Sequence, residues 1–166
     1  MSIEVRPLAD GELEEALPLI AGYQVFYEAV PDDDRNRGFF RRFIAPSDDG
    51  LLLGAWDGGH LVGFATIYWT YSSTLPGDIA LMNDLFVAED ARGGGVGEAL
   101  IDACVGAARE RGMPILEWYT ATDNHRAQRL YDRYPGAEQT TWHAYNVEVA
   151  GESASATDRS GPSTSR

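Results

Sequence analysis

The hydropathy pattern divides the chain into short segments whose period switches between two and about 3.6 residues. Ile3 to Leu8 alternates as a first strand and is stopped by Pro7 and Ala9-Asp10-Gly11. Leu13, Leu17, Ile20 and Tyr23 then share one helical face, with Asp10 as the expected N-cap. Pro18 lies inside that pattern and predicts a kink or a split, leaving Tyr23, Phe26 and Tyr27 on the second piece. Pro31-Asp32-Asp33-Asp34 reads as an acidic turn capping a helix from Arg35 to Ile44. After a loop from Ala45 to Gly50, Leu51–Trp56 and His60–Tyr71 read as strands joined by Asp57-Gly58-Gly59, a strong hairpin signal.

The second half repeats strand and helix in turn. Ser72 to Asp78 is a loop, and Ile79–Val87 is an apolar strand interrupted by Asn83 and Asp84. Val96, Leu100, Ala103 and Ala107 mark a helix to about Arg111, stopped by Gly112 and Pro114. Ile115–Thr120 is the next strand, and Asp123-Asn124 opens a helix to Tyr134, closed by Pro135-Gly136. Thr140–Val149 reads as the last strand or strands. From Gly151 the composition turns to Ser, Thr, Ala, Gly and Pro, which cannot bury a core. The expected organisation is one domain over residues 1–150 and a disordered tail over 151–166. Periodicity alone supports a mixed α/β layer fold and no finer arrangement.

The densest chemical signal is Arg92-Gly93-Gly94-Gly95-Val96-Gly97-Glu98, between the apolar strand and its helix. Glycines let the backbone turn sharply and approach a ligand closely. The following helix offers free N–H groups and the positive end of its dipole, an arrangement that binds phosphates. Arg92 adds a permanent positive charge. A Walker loop is excluded, because the chain contains no lysine. A dinucleotide fingerprint fails at Glu98, where a third glycine belongs, and Ala88 to Arg92 hold the strand away from the glycines. What remains is Arg-x-x-Gly-x-Gly, met by Arg92, Gly95 and Gly97.

That loop, after a strand ending Leu85-Phe86-Val87, resembles the acetyl-CoA loop of the GNAT N-acetyltransferase superfamily. A second segment strengthens the likeness. Asn124-His125-Arg126-Ala127-Gln128-Arg129-Leu130-Tyr131 matches that superfamily's Asn-x-x-Ala-x-x-Leu-Tyr, in the expected order and behind an apolar strand. The resemblance spans about Ile3 to Val149. Within it, the subgroup acetylating polyamines, other small amines or basic protein tails is the most similar.

The resemblance implies a mostly antiparallel sheet whose fourth and fifth strands run parallel and splay apart, flanked by helices. It implies acetyl-CoA as co-substrate, held by Arg92, Gly93, Gly94, Gly95, Val96, Gly97 and Glu98. The backbone of Leu85, Phe86 and Val87, with Asn124 and Ala127, would hold the pantetheine arm. Tyr131 falls at the position of the general acid that protonates the departing thiolate. The general base is less regular: where relatives of that subgroup carry Glu-Asp, this chain has Asn83-Asp84. An amide cannot accept the proton, so Asp84 is the expected base, although alternation puts it on the face opposite Asn83 unless a bulge re-aims it. Glu117, Asp123 or a water chain are the substitutes. Tyr23, Phe26, Tyr27 and Trp69 are candidates for an aromatic amine pocket. Pro135 departs from the family's usual exit after its tyrosine.

Charge and composition narrow the partners. The formal net charge is −13 and every positive side chain is an arginine. Such a surface repels nucleic acid and anionic membranes and attracts a cationic amine. No stretch approaches the roughly 20 apolar residues of a membrane span, and Glu4 and Arg6 interrupt any leader-like run. The single cysteine, Cys104, excludes an internal disulfide and fits a reducing cytoplasm. His60 has no second histidine at ligand spacing, so no metal is expected. The leading expectation is acetyl transfer from acetyl-CoA to a primary amine of a cationic small molecule or basic peptide, by direct attack in a ternary complex. The alternative is a catalytically weak acetyl-CoA sensor or interaction module of the same fold. Homodimerisation, common in that family, is an expectation here too.

Overall fold

A five-stranded sheet runs through the middle of the molecule in the order β1-β2-β3-β4-β5, as seen in a computed structural model that describes residues 3–149. Its strands are β1 (Ile3–Pro7), β2 (Gly50–Asp57), β3 (His60–Ser72), β4 (Gly77–Val87) and β5 (Leu116–Trp118). The first four pair antiparallel; β4 and β5 pair parallel. The Asp57–His60 hairpin closes through Gly58 and Gly59, both at positive φ, the backbone that a two-residue turn of this twist requires. Among the described residues no helix is long and apolar enough to cross a membrane.

Helices cover both faces. On one, α1 (Leu13–Phe26) and α2 (Asp33–Phe40) pack Leu13, Leu17, Ile20 and Phe40 against Leu52, Trp56 and Phe64 of the sheet. On the other, α3 (Val96–Glu110) packs Val96, Leu100, Ile101, Cys104 and Ala108 against Leu53, Ala55, Ala65, Ile67, Ala80 and Met82. The fourth helix, α4 (His125–Tyr131), follows β5 and adds Leu130 and Tyr131 to the α3 side. The layered fold expected from sequence is the one observed.

Several local expectations are corrected. α1 is unbroken: Pro18 faces solvent, so water can satisfy the Glu14 carbonyl that loses its helical donor. Asp10 is not the cap. A short 3-10 turn over Asp10–Glu12 precedes α1, and the Glu12 carboxylate reaches back to the Ala9 N–H at 2.8 Å. Arg6 donates to the same carboxylate at 2.6 and 2.8 Å, and together these bonds hold its pKa down at about 2. The acidic turn does cap α2, with the Asp32 side chain accepting from the Arg35 N–H at 2.8 Å. That helix stops at Phe40 and a 3-10 turn continues to Phe43. β5 and α4 are shorter than their apolar patterns, because β5 is paired only for three residues before it leaves β4. Thr140–Val149 forms no strand: residues 137–149 carry no regular structure and have no neighbouring strand to complete a ladder. The Ser-rich segment expected to be disordered, 151–166, lies outside the described residues.

Candidate active site

The site begins where the sheet comes apart. β5 pairs with β4 only at Ala80, Leu81 and Met82. Beyond Met82, β4 has no strand on the β5 side, while Asp84 to Val87 keep their β3 partners. The gap opens into a cleft of about 810 Å³. Its walls come from the end of α1, β4, the Arg92–Glu98 loop, Trp118–Thr120 and α4.

The loop has the geometry that phosphate binding needs. Gly93 and Gly95 stand at φ 87° and 84°, a left-handed backbone that only glycine adopts without strain. Gly95 is the N-cap of the 15-residue α3, and no side chain caps that end. The N–H groups of Val96, Gly97 and Glu98 are thus left for a ligand, and all three residues line the cleft. Gly97 meets a different requirement: a Cβ there would stand 2.9 Å from Leu130 Cδ2, so its absence lets α4 lie against the start of α3. Arg92 is held in place, its Nε donating to the Val87 carbonyl at 2.9 Å and its guanidinium 5.7 Å from the Phe86 ring centre. These features fit the pyrophosphate of a CoA-type ligand.

The facing wall carries the second motif. Asn124 caps α4, its Oδ1 accepting from the Ala127 N–H at 3.2 Å, which leaves the side-chain amide as a donor toward the cleft. Tyr131 lines the cleft and packs edge-on against Trp118, with ring centres 5.7 Å apart. Burial pushes its pKa up to about 12, so the phenol carries its proton at neutral pH. The Thr120 hydroxyl, also in the wall, is buried without a partner.

Asp84 is placed by a bulge. The β3–β4 register slips between Thr66 and Ile67, so that Thr66 faces Asp84 while Ile67 faces Met82, and Asn83 is the extra residue. Asn83 consequently opens to the cleft, and Asp84 turns under α1, 4% exposed. Burial raises its pKa; the neighbouring Tyr23, Thr66 and Asn83 groups pull the other way. Of these, Asn83 Nδ2 makes the well-formed bond, at 3.0 Å, while Thr66 Oγ1 completes none. Asp84 does not itself line the cleft; Tyr23, beside it, does.

Most of the residues singled out by sequence thus meet in one cleft: Leu85, Phe86, Val87, Arg92, Gly93, Gly95, Val96, Gly97, Glu98, Asn124, Ala127 and Tyr131, with Tyr23, Phe26 and Tyr27 at the α1 end. Gly94, Asp84 and Trp69 are not in its walls. Trp69 packs on the α3 side of the sheet, 5.0 Å beneath the Arg111 guanidinium. Cys104 is fully buried in the core, where desolvation pushes its thiol up to about 12 and leaves it inert. Sequence reasoning missed Arg126, Arg129 and Arg133, which all border the cleft. Their i, i+3, i+7 spacing was the available signal.

Comparison with known proteins identifies the family. The model of the acetyltransferase (GNAT) family matches residues 17–136. An uncharacterized N-acetyltransferase of Bacillus subtilis, YhfO, is 28% identical over 147 residues, covering 89% of this chain and 98% of that protein. The D-amino-acid N-acetyltransferase HPA3 of Saccharomyces cerevisiae is 37% identical over 113 residues, covering 67% of this chain and 70% of its own. The solved structure of the aminoglycoside N-acetyltransferase AAC(6')-Iy in complex with CoA superposes with a TM-score of 0.77 at 19% identity, over 89% of this chain and 95% of that one. The chain belongs to the GNAT family of acetyltransferases.

Proposed function

We propose that this acetyltransferase moves the acetyl group of acetyl-CoA to a primary amine of a cationic small molecule or basic peptide, in a ternary complex. The observation that carries this reading is that one cleft joins an uncapped helix end and Arg92 to the aromatic cluster Tyr23, Phe26 and Tyr27. The rings of Tyr23 and Tyr27 are 5.1 Å apart, as are those of Phe26 and Tyr27, and Phe26 and Tyr27 are largely exposed. Such a cluster suits an ammonium group, and the acidic surface draws cations to it. HPA3 acts on D-amino acids, which adds amino acids to the amines worth testing. The enzyme is expected to work in the cytoplasm, which its one free cysteine fits.

In the proposed reaction the amine nitrogen bonds to the acetyl carbon and the carbon–sulfur bond breaks. An alkyl ammonium with a pKa of about 10.4 must first lose a proton. Asp84 takes it by way of the neighbouring Tyr23, which borders the cleft where Asp84 does not. Tyr131 gives its proton to the departing thiolate and regains one from the nitrogen, which sheds a second proton as it becomes the amide. A pKa of about 12 suits a group that must arrive protonated, and Tyr131 lines the same cleft as Tyr27 at the acceptor end. Free backbone groups of the splayed β4 segment stabilise the oxyanion.

The test is a thermal-shift titration with acetyl-CoA coupled to thiol release, across polyamines, basic peptides, amino sugars and D-amino acids. Saturation at about 100 times Kd should add roughly 2.7 kcal/mol. Release on a cationic amine class is the expected result. Tyr131→Phe should keep the shift and lower turnover by about 10²–10⁴. A shift without release on any amine would instead favour an acetyl-CoA sensor.

A further inference from the structure

We infer that Arg126, Arg129 and Arg133 form a second phosphate site in the same cleft, which takes the 3′-phosphate on the ribose of CoA. This rests on the acetyl-CoA reading and adds to it a group that the α3 end does not account for.

The three arginines follow one another at i, i+3 and i+7, on α4 and the turn after it, and all three border the cleft. The chain has 26 acidic side chains against 13 arginines. Among the described residues six of the other eight arginines have a carboxylate: Arg6 with Glu12, Arg37 with Glu14 and Asp34, Arg41 with Asp10, Arg42 with Asp49, Arg92 with Glu89, and Arg111 with Asp48. Among the described residues none of Arg126, Arg129 and Arg133 has one within 4.0 Å. Two carboxylates, Glu98 and Asp132, border the same cleft and pair with none of them. Arg133 is steadied by its Nε, which donates to the Arg129 backbone carbonyl at 2.9 Å. Three unpaired like charges in one wall repel one another, and an anion between them relieves that repulsion.

Position makes CoA that anion. Gly97, at the first turn of α3, lies against Leu130, so the arginine row and the α3 N-terminus are adjacent walls of one space. With Arg92 and the free N–H groups at the α3 end engaged by the pyrophosphate, one anionic group of CoA is left. That group is a phosphate monoester, with more charge than a diester and a geometry that guanidinium forks match.

The experiment compares CoA with 3′-dephospho-CoA by titration calorimetry, on the full chain without acceptor. The wild type should bind CoA at least about tenfold more tightly than the dephospho form, the effect of one charge-assisted contact. Replacing Arg126, Arg129 and Arg133 together with Gln should bring that ratio to about one and leave the affinity for 3′-dephospho-CoA within about twofold. All three side chains are exposed, and an unchanged circular dichroism spectrum and melting temperature verify the fold. A wild-type ratio of one, a ratio that survives the triple substitution, or equal weakening of both ligands would each overturn the assignment while leaving acetyl-CoA binding intact. Failure of the wild type to bind either ligand would overturn the acetyl-CoA reading and this one with it.

Discussion

Asp84 shows how one residue's surroundings can set stability against activity. It carries a carboxyl into a space 4% exposed, with a single well-formed hydrogen bond from Asn83. Its pKa is raised from the ordinary carboxylate value by burial. A carboxyl that holds its proton more tightly folded than unfolded favours the fold below its unfolded pKa, and that advantage is lost as pH rises through the raised value. At neutral pH the ionised group therefore costs stability, and Asp84→Asn removes the cost while keeping an oxygen for the Asn83 amide. The variant should melt a few degrees higher than wild type at pH 8 and show little gain near pH 4, in matched calorimetric scans. As the proposed base, Asp84 must be ionised to work, so wild-type turnover falls as pH drops through that same raised pKa. In Asp84→Asn the acidic limb should vanish along with most of the rate. A variant that keeps both rate and limb removes Asp84 from the proton path.

At the scale of elements, the Arg92–Glu98 loop shows that two glycines can matter for unrelated reasons. Gly95 is needed for its backbone: at φ 84° an alanine is strained by roughly 1–2 kcal/mol and drags the α3 amides out of line. Gly97 is needed for its emptiness, yet the atom its Cβ would meet is the end of the flexible Leu130 side chain. Gly95→Ala should thus lower both melting temperature and acetyl-CoA affinity, the latter about tenfold or more. Gly97→Ala should change stability by less than about 1 kcal/mol, and equal losses in the two would refute the distinction. These loops were legible because glycine spacing and helix starts are local. The hairpin at Gly58-Gly59, the cap at Asp32 and the stop at Gly112 were legible for the same reason. The unbroken α1 was not, since whether Pro18 interrupts a helix depends on which face meets solvent, a tertiary fact. The length of β5 depends on where β4 leaves it, and the bulge at Asn83 on the β3 register, so neither is written in one segment alone. The α4 arginines were visible as residues but not as a wall, because their partner wall lies in α3.

For the whole molecule, the unfinished part is the last described stretch. β5 ends the sheet, paired to β4 on one side and to no strand on the other among the described residues. Beyond α4, Trp142, Tyr145, Val147 and Val149 are 81–91% exposed in a stretch without regular structure. Their β-prone composition suits a strand, and a lone strand has no ladder to stabilise it. An open edge and an unpaired β-prone segment in one chain are complementary features, and two copies can satisfy both at once. We expect a homodimer in which residues 142–149 of each copy pair along β5 of the other, a closed two-fold arrangement that covers the β5 edge of both copies. Tyr119, 70% exposed just after β5, would then be covered as well. Analytical ultracentrifugation of the full chain at micromolar concentration should give a dimer, and Tyr145→Glu with Val147→Glu a monomer, since a carboxylate at a strand interface must be desolvated without a partner. Neither position borders the cleft, so the monomer should still bind CoA. A wild type that stays monomeric at every concentration would sink the exchange and return the segment to its own sheet.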